Sequence, residues 1–304
     1  MKSKSNQISY KIRKNSGLWL REHDTLHKIA SSFNKTYYTL SSPFRMLPDF
    51  LIIGAARCGT TSLYEYLISH PNISSASGKE VYFFDKKYSK GLNWYKSFFP
   101  FKSNTLFHTN LSKNKILTGE ATPRYLYHHH SPKRIFKTLP NVKLIVLLRN
   151  PIDRAYSHYQ MEVDHNHETL SFEDAIEKEK SIVQHEIELM DHDENYYSVE
   201  FYRKSYLTRG IYVTQLKNWF KFFPRNQFLI LKSEDFYFNT SDVYNKVLKF
   251  LELPEYNLQQ YKQFKMRPYS SMNDEIRKKL TDYFTPYNKE LYKLLGTNFN
   301  WEEK

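Results

Sequence analysis

The sequence predicts an α/β fold, a three-layer, P-loop-like arrangement with a central parallel sheet flanked by helices. Two runs carry this reading. Residues 49–54, DFLIIG, form a short apolar stretch rich in β formers, followed by a tight turn and a helical pattern. Residues 142–149, VKLIVLLR, are apolar over a strand's length, which suits burial on both faces, and Asn150-Pro151 then opens a helix. Strands alternating with helices argue for a parallel sheet with crossover connections.

The elements follow in order. Residues 1–47 read as a basic N-terminal extension and 48–304 as one domain, with no linker to divide it. TTSLYEYLISH places Leu63, Leu67 and Ile68 on one helix face, and His70-Pro71-Asn72 ends that helix. ILTGEA (116–121) predicts a second short strand, and SPKRIFKTL (131–139) a helix with a serine cap and proline at its first turn. IDRAYSHYQMEV continues as helix after Pro151. A charged helix is expected over 171–190, an aromatic amphipathic one over 207–223, a late strand at 226–231, and helices at 241–252 and 274–295.

Composition bounds the function. Forty per cent of the 304 residues are hydrophobic, enough for a packed core and too many for a disordered chain. The formal net charge of +13 favours anionic partners without choosing among nucleic acid, membrane surface, anionic cofactor and acidic polymer; a lysine-rich solvated surface is the plainer reading. The single cysteine, Cys58, excludes an intrachain disulfide, and no apolar run reaches 18 residues. Both features predict a reducing, cytoplasmic location. Eight Lys/Arg fall in residues 2–35, interspersed with Trp19, Leu20, Leu26 and Ile29. Weak membrane-surface association is one reading of that segment, and a packed or frayed extension the other.

The turn reads GAARCGTTS (54–62). A P-loop, G-x-x-x-x-G-K-[ST], would place lysine where this chain has Thr60. A turn at a helix start still presents backbone N–H donors and a favourable dipole to phosphate, with Thr60, Thr61 and Ser62 adding hydroxyls and Arg57 a charge. The apolar run 142–148 ends in Arg149, where a metal-assisted nucleotide hydrolase would want an acid. The bland alternative is a simple βα turn. Arg149 and Ser157 fall at the end of the strongest strand and two turns into the next helix, where ligands of open α/β sheets sit. A guanidinium and a hydroxyl can grip a second phosphate. Arg154, in the same stretch, reads as a surface salt-bridge residue.

These residues match a family. The chain resembles the sulfotransferases that use 3′-phosphoadenosine 5′-phosphosulfate (PAPS), most of all the branch of heparan sulfate and other carbohydrate sulfotransferases and its bacterial-type relatives. The shared runs are PDFLIIGAARCGTTSLYEYLISHPNI, KEVYFFD (79–85), GLNWYKSFFP (91–100), GEATPRYL (119–126), LIVLLRNPIDRAYSHYQ (144–160), RGIYVTQLKNWFKFFP (209–224) and KMRPY (265–269). The resemblance implies that Arg57, Cys58, Gly59, Thr60, Thr61 and Ser62 bind the 5′-phosphosulfate. It implies that Arg149 and Ser157 bind the 3′-phosphate, and that Lys265, Met266, Arg267, Pro268 and Tyr269 form a late cofactor loop. Met266 departs from the family's glycine, and Ala121 stands where heparan sulfate enzymes carry lysine.

The resemblance further implies sulfonyl transfer from PAPS to a hydroxyl or amine of a glycan or other hydroxylated acceptor, with adenosine 3′,5′-bisphosphate (PAP) as product. Glu80, set beside bulky aromatic residues, is the implied base. Arg57 and Lys265 would offset charge on the leaving phosphate. No metal is expected: His128–His130 and the histidines at 165, 167, 185 and 192 fit no common zinc spacing. Two other classes stay open from the residues alone. They are a metal-dependent P-loop phosphotransferase or kinase, and a basic nucleic-acid-binding protein without catalysis. Nucleic acid is not the expected partner, because the basic residues are scattered and no recognition motif is present.

Overall fold

A computed structural model describes residues 36–103, 115–261 and 272–303. Strand β1 (Phe50–Gly54) lies at the centre of a five-stranded, all-parallel sheet. The others are β2 (Ile73–Ser75), β3 (Leu117–Ala121), β4 (Lys143–Leu148) and β5 (Phe228–Lys232), in the order β2-β3-β1-β4-β5. The β-branched and leucine residues of β1 and β4 are completely buried, as runs apolar on both faces require.

Helices cover the sheet: α1 (Thr60–Leu67), α2 (Leu92–Lys96), α3 (Ser131–Thr138), α4 (Pro151–Asp164), α5 (Phe172–His192), α6 (Val199–Lys204), α7 (Tyr212–Phe220), α8 (Ser233–Phe238), α9 (Thr240–Phe250) and α10 (Asp274–Leu295). The expected α/β architecture is therefore present. Strand β2 is an addition that the sequence did not announce. The charged helix expected near 171–190 is α5, and it is not merely a solvated face. Ala175, Glu179, Val183, Glu186 and Met190 form a buried stripe along it.

Register explains how distant motifs meet. Ile52 pairs with Ile145 and Gly54 with Val146, so the turns leaving β1 and β4 are neighbours at the carboxyl ends of the strands. The chain departs from β1 toward β2 and β3 and from β4 toward β5, which opens a crevice between them. Gly54 is required by close approach: a Cβ there would lie 2.4 Å from Leu126 Cβ in the GEATPRYL segment.

Candidate active site

The turn after β1 is shaped by two left-handed residues, Arg57 (φ 74°) and Gly59 (φ 88°), the second being the N-cap of α1. Helix α1 begins at Thr60, so the N–H groups of its first turn face the crevice end of the sheet. Thr60 and Ser62 are buried. Cys58 is fully buried, and burial pushes its thiol up to about 11, so it packs as a neutral side chain.

The turn after β1 and the first half of α4 touch. Arg57 donates from Nε to Ser157 Oγ at 3.1 Å and from Nη2 to the same oxygen at 3.0 Å. Arg149 Nη1 lies 3.5 Å from the Arg57 carbonyl. Tyr212 OH donates to the Arg149 carbonyl at 2.9 Å, and the Glu234 carboxylate accepts from Asn150 N at 2.8 Å; together they fix the turn after β4.

Glu80 joins this assembly through Lys79. The Lys79 ammonium donates to Thr61 Oγ1 at 2.5 Å and lies 3.3 Å from Glu80 Oε1. Tyr82 OH donates to the other carboxylate oxygen. Glu80 thus pairs with Lys79, as a surface glutamate would. It is nevertheless half-buried and tied to the first turn of α1.

Sequence reasoning passed over two residues here. Lys79 was visible as the cation beside Glu80, but its reach to Thr61 is a tertiary fact. Glu120, inside GEATPRYL, is completely buried. Its carboxylate accepts from Tyr95 OH at 2.7 Å, Thr122 Oγ1 at 2.8 Å, Tyr125 OH at 3.2 Å and Val81 N at 3.3 Å. Burial raises its pKa to about 7 against those hydrogen bonds. It anchors the 79–85 segment from below.

Cations stand over Tyr82, which bonds Glu80, and over neighbouring tyrosines. The Arg124 guanidinium lies 3.5 Å over the Tyr202 ring and 5.4 Å over Tyr82. Lys86 lies 4.6 Å over Tyr197, and Lys87 5.6 Å over Tyr82. A concavity of about 510 Å³ lies elsewhere, beside Asp49, Lys115, Lys143 and Glu252 at the amino ends of the strands. The chemistry-bearing side chains gather at the carboxyl ends.

Lys265, Met266, Arg267, Pro268 and Tyr269 lie outside the described residues, as does the basic segment 1–35. Arg154 corrects an expectation: it is fully buried rather than a surface ion-pair residue, because α4 turns that face under the phosphate turn. Among the described residues, one group could hold a metal: His129, His130 and Asp191 bring ligand-type atoms within 4.8 Å of one another.

A nucleotide-type sheet whose central turn gathers arginine, serine and a helix start defines a protein that handles an anionic, phosphate-bearing group. The profile of the sulfotransferase domain matches residues 47–291, and the chain belongs to that family. It is an enzyme that transfers sulfonyl groups, and this membership displaces the phosphotransferase and nucleic-acid readings. The membrane-associated sulfotransferase kil1 of Dictyostelium discoideum is 28% identical over 84% of this chain and 67% of its own length. The bifunctional heparan sulfate N-deacetylase/N-sulfotransferase 1 of Caenorhabditis elegans is 30% identical over 84% of this chain, which spans only 30% of that protein. A crystallised sulfotransferase from Alicyclobacillus acidocaldarius superposes with a TM-score of 0.64 at 27% identity, covering 85% of this chain and all of that one.

These likenesses correct the cytoplasmic expectation, since one of the relatives is membrane-associated by name. Cysteine count reports whether a disulfide can form, and it does not report an address. Among the described residues no helix is long and apolar enough to cross a membrane, and surface association needs none.

Proposed function

We propose that residues 48–304 form one catalytic domain that transfers the sulfonyl group of PAPS to a hydroxyl or amine of an acidic glycan. The connected set Glu80–Lys79–Thr61, next to Arg57–Ser157 and Arg149, carries the reading. Thr61 and Arg57 belong to the same turn, so the contacts of the base candidate and those of the two proposed phosphate elements meet there.

The residues present fit PAPS. The α1 N-terminus, with Arg57 beside it, suits the 5′-phosphosulfate, and Arg149 with Ser157 suits the 3′-phosphate. When bound, PAPS supplies the activated sulfonyl group and its bisphosphate leaving group. Glu80 takes the proton from the acceptor hydroxyl or amine as attack proceeds. Lys79 holds that carboxylate against the first turn of α1 and offers positive charge between base and phosphate. Arg57 offsets charge on the departing phosphate side, a task shared with Lys265. Tyr82 fixes the second oxygen of Glu80 and so orients the basic lone pair.

Arg124, Lys86 and Lys87 support an acidic acceptor, since their charges stand on tyrosine faces, two of them on Tyr82 beside Glu80, with the buried Asp85 as the carboxylate that Arg124 and Lys87 share. Sugar rings also stack on such faces. The heparan sulfate relative points the same way. The test is transfer of radiolabelled sulfonyl from PAPS to acidic glycans and to neutral dextran. Label in the acidic glycans, lost with Arg124→Ala, supports the proposal. Equal labelling of dextran contradicts it.

A further inference from the structure

Two guanidiniums are buried beneath the turn after β1, and among the described residues most of their donors have no partner. Arg154 is fully buried and Arg209 is 6% exposed. Arg154 Nη2 donates to the Tyr206 carbonyl, but among the described residues its Nε and Nη1 have no hydrogen-bond partner. Arg209 Nε and Nη2 have none either. A cavity of about 10 Å³ is lined by both arginines together with Ala55 and Ala56 of the turn, Tyr127 and Gln215. That is room for about one small species.

Among the described residues the surroundings compensate the charge only in part. Arg124 and Arg154 repel Arg209, whose pKa burial and these neighbours lower to about 10. The face partners of Arg209 are the rings of Tyr127 and Tyr202, each 5.1 Å away. Glu179 is the nearby carboxylate, but its oxygens accept from Leu207 N at 2.6 Å, Thr208 N at 2.7 Å and Thr208 Oγ1 at 2.6 Å. His158, also close, is kept neutral by burial, with a pKa lowered to about 3. Buried donors without partners are costly, and buried charges without counter-charge more so. A water would satisfy some N–H groups and none of the charge.

We infer that this cavity binds a small monovalent anion of chloride size, held between Arg154 and Arg209 behind Ala55 and Ala56. The bound ion joins α4 to the segment before α7 and braces the first residues of the phosphate turn. The site is separate from the transfer chemistry, and the inference does not rest on the identity of donor or acceptor.

The wild-type enzyme is melted in sodium chloride, sodium bromide and sodium gluconate at matched ionic strength. A saturable rise of a few degrees with either halide, absent with gluconate, is expected. Arg209→Gln, which removes one charge and keeps a donor, should abolish the halide dependence. Equal melting of the wild type in all three salts overturns the inference, whatever the variant does. Crystals grown in bromide give an independent reading that needs no variant and takes precedence. An anomalous peak between the two guanidiniums supports the site, and water alone there overturns it.

Discussion

Replacing Glu120 by glutamine isolates the ionisation of one fully buried carboxyl. In the folded chain this group titrates near 7, against an ordinary value of 4.5. At about 1.4 kcal/mol per pH unit the difference is about 3 kcal/mol. The sign follows from proton counts. Between pH 4.5 and 7 the native state holds a proton that the unfolded chain has released, so stability falls as pH rises through this window. Below 4.5 both states are protonated and the contribution is complete. Above 7 it is lost. Glutamine carries no such proton. Its amide oxygen can face Val81 N and Thr122, and its NH2 can face Tyr95 and Tyr125, whose hydroxyls turn to accept. Urea unfolding of wild type and Glu120→Gln at pH 5 and pH 8 measures the difference, and titrations shared by both proteins cancel. The wild type should lose about 2–4 kcal/mol more than the variant across that interval. Parallel pH dependence in the two proteins would refute the assignment of Glu120 as a buried, proton-holding group.

Other outcomes are expected. Arg149→Ala should weaken PAP binding by about 10- to 100-fold, the scale of a lost charged hydrogen bond; unchanged affinity by calorimetry contradicts its phosphate role. Chelation with EDTA should leave the transfer rate within about twofold, because no step is assigned to a metal; a large loss restored by zinc would direct attention to His129, His130 and Asp191. Cys58, buried and with its thiol pushed up to about 11, should resist iodoacetamide at pH 8 in the folded enzyme and react in urea. Rapid labelling of the native chain would contradict that burial.

Much of this architecture was legible in the residues because it rests on local signals. The apolar run of β1 and the helix start at Thr60 follow from pattern. So does β4 with the Asn150-Pro151 opening of α4. Strand β2 was not legible: Ile73-Ser74-Ser75 has one apolar residue and forms only because β3 offers a free edge. Arg154 was misread because an isolated arginine is usually exposed. Glu120 gave no local sign, since two of its partners, Val81 and Tyr95, are distant in sequence. The role proposed for Glu80 comes from the family resemblance. Its link to the phosphate turn by Lys79 is visible only in three dimensions.

Single-turnover transfer by Glu80→Gln, measured with PAP affinity on the same preparation, tests that link most directly. If Glu80 is the base, the variant binds PAP like the wild type and its transfer step slows by about 10²–10⁴-fold, the scale of a lost general base. Transfer at the wild-type rate would show that the proton leaves by another route.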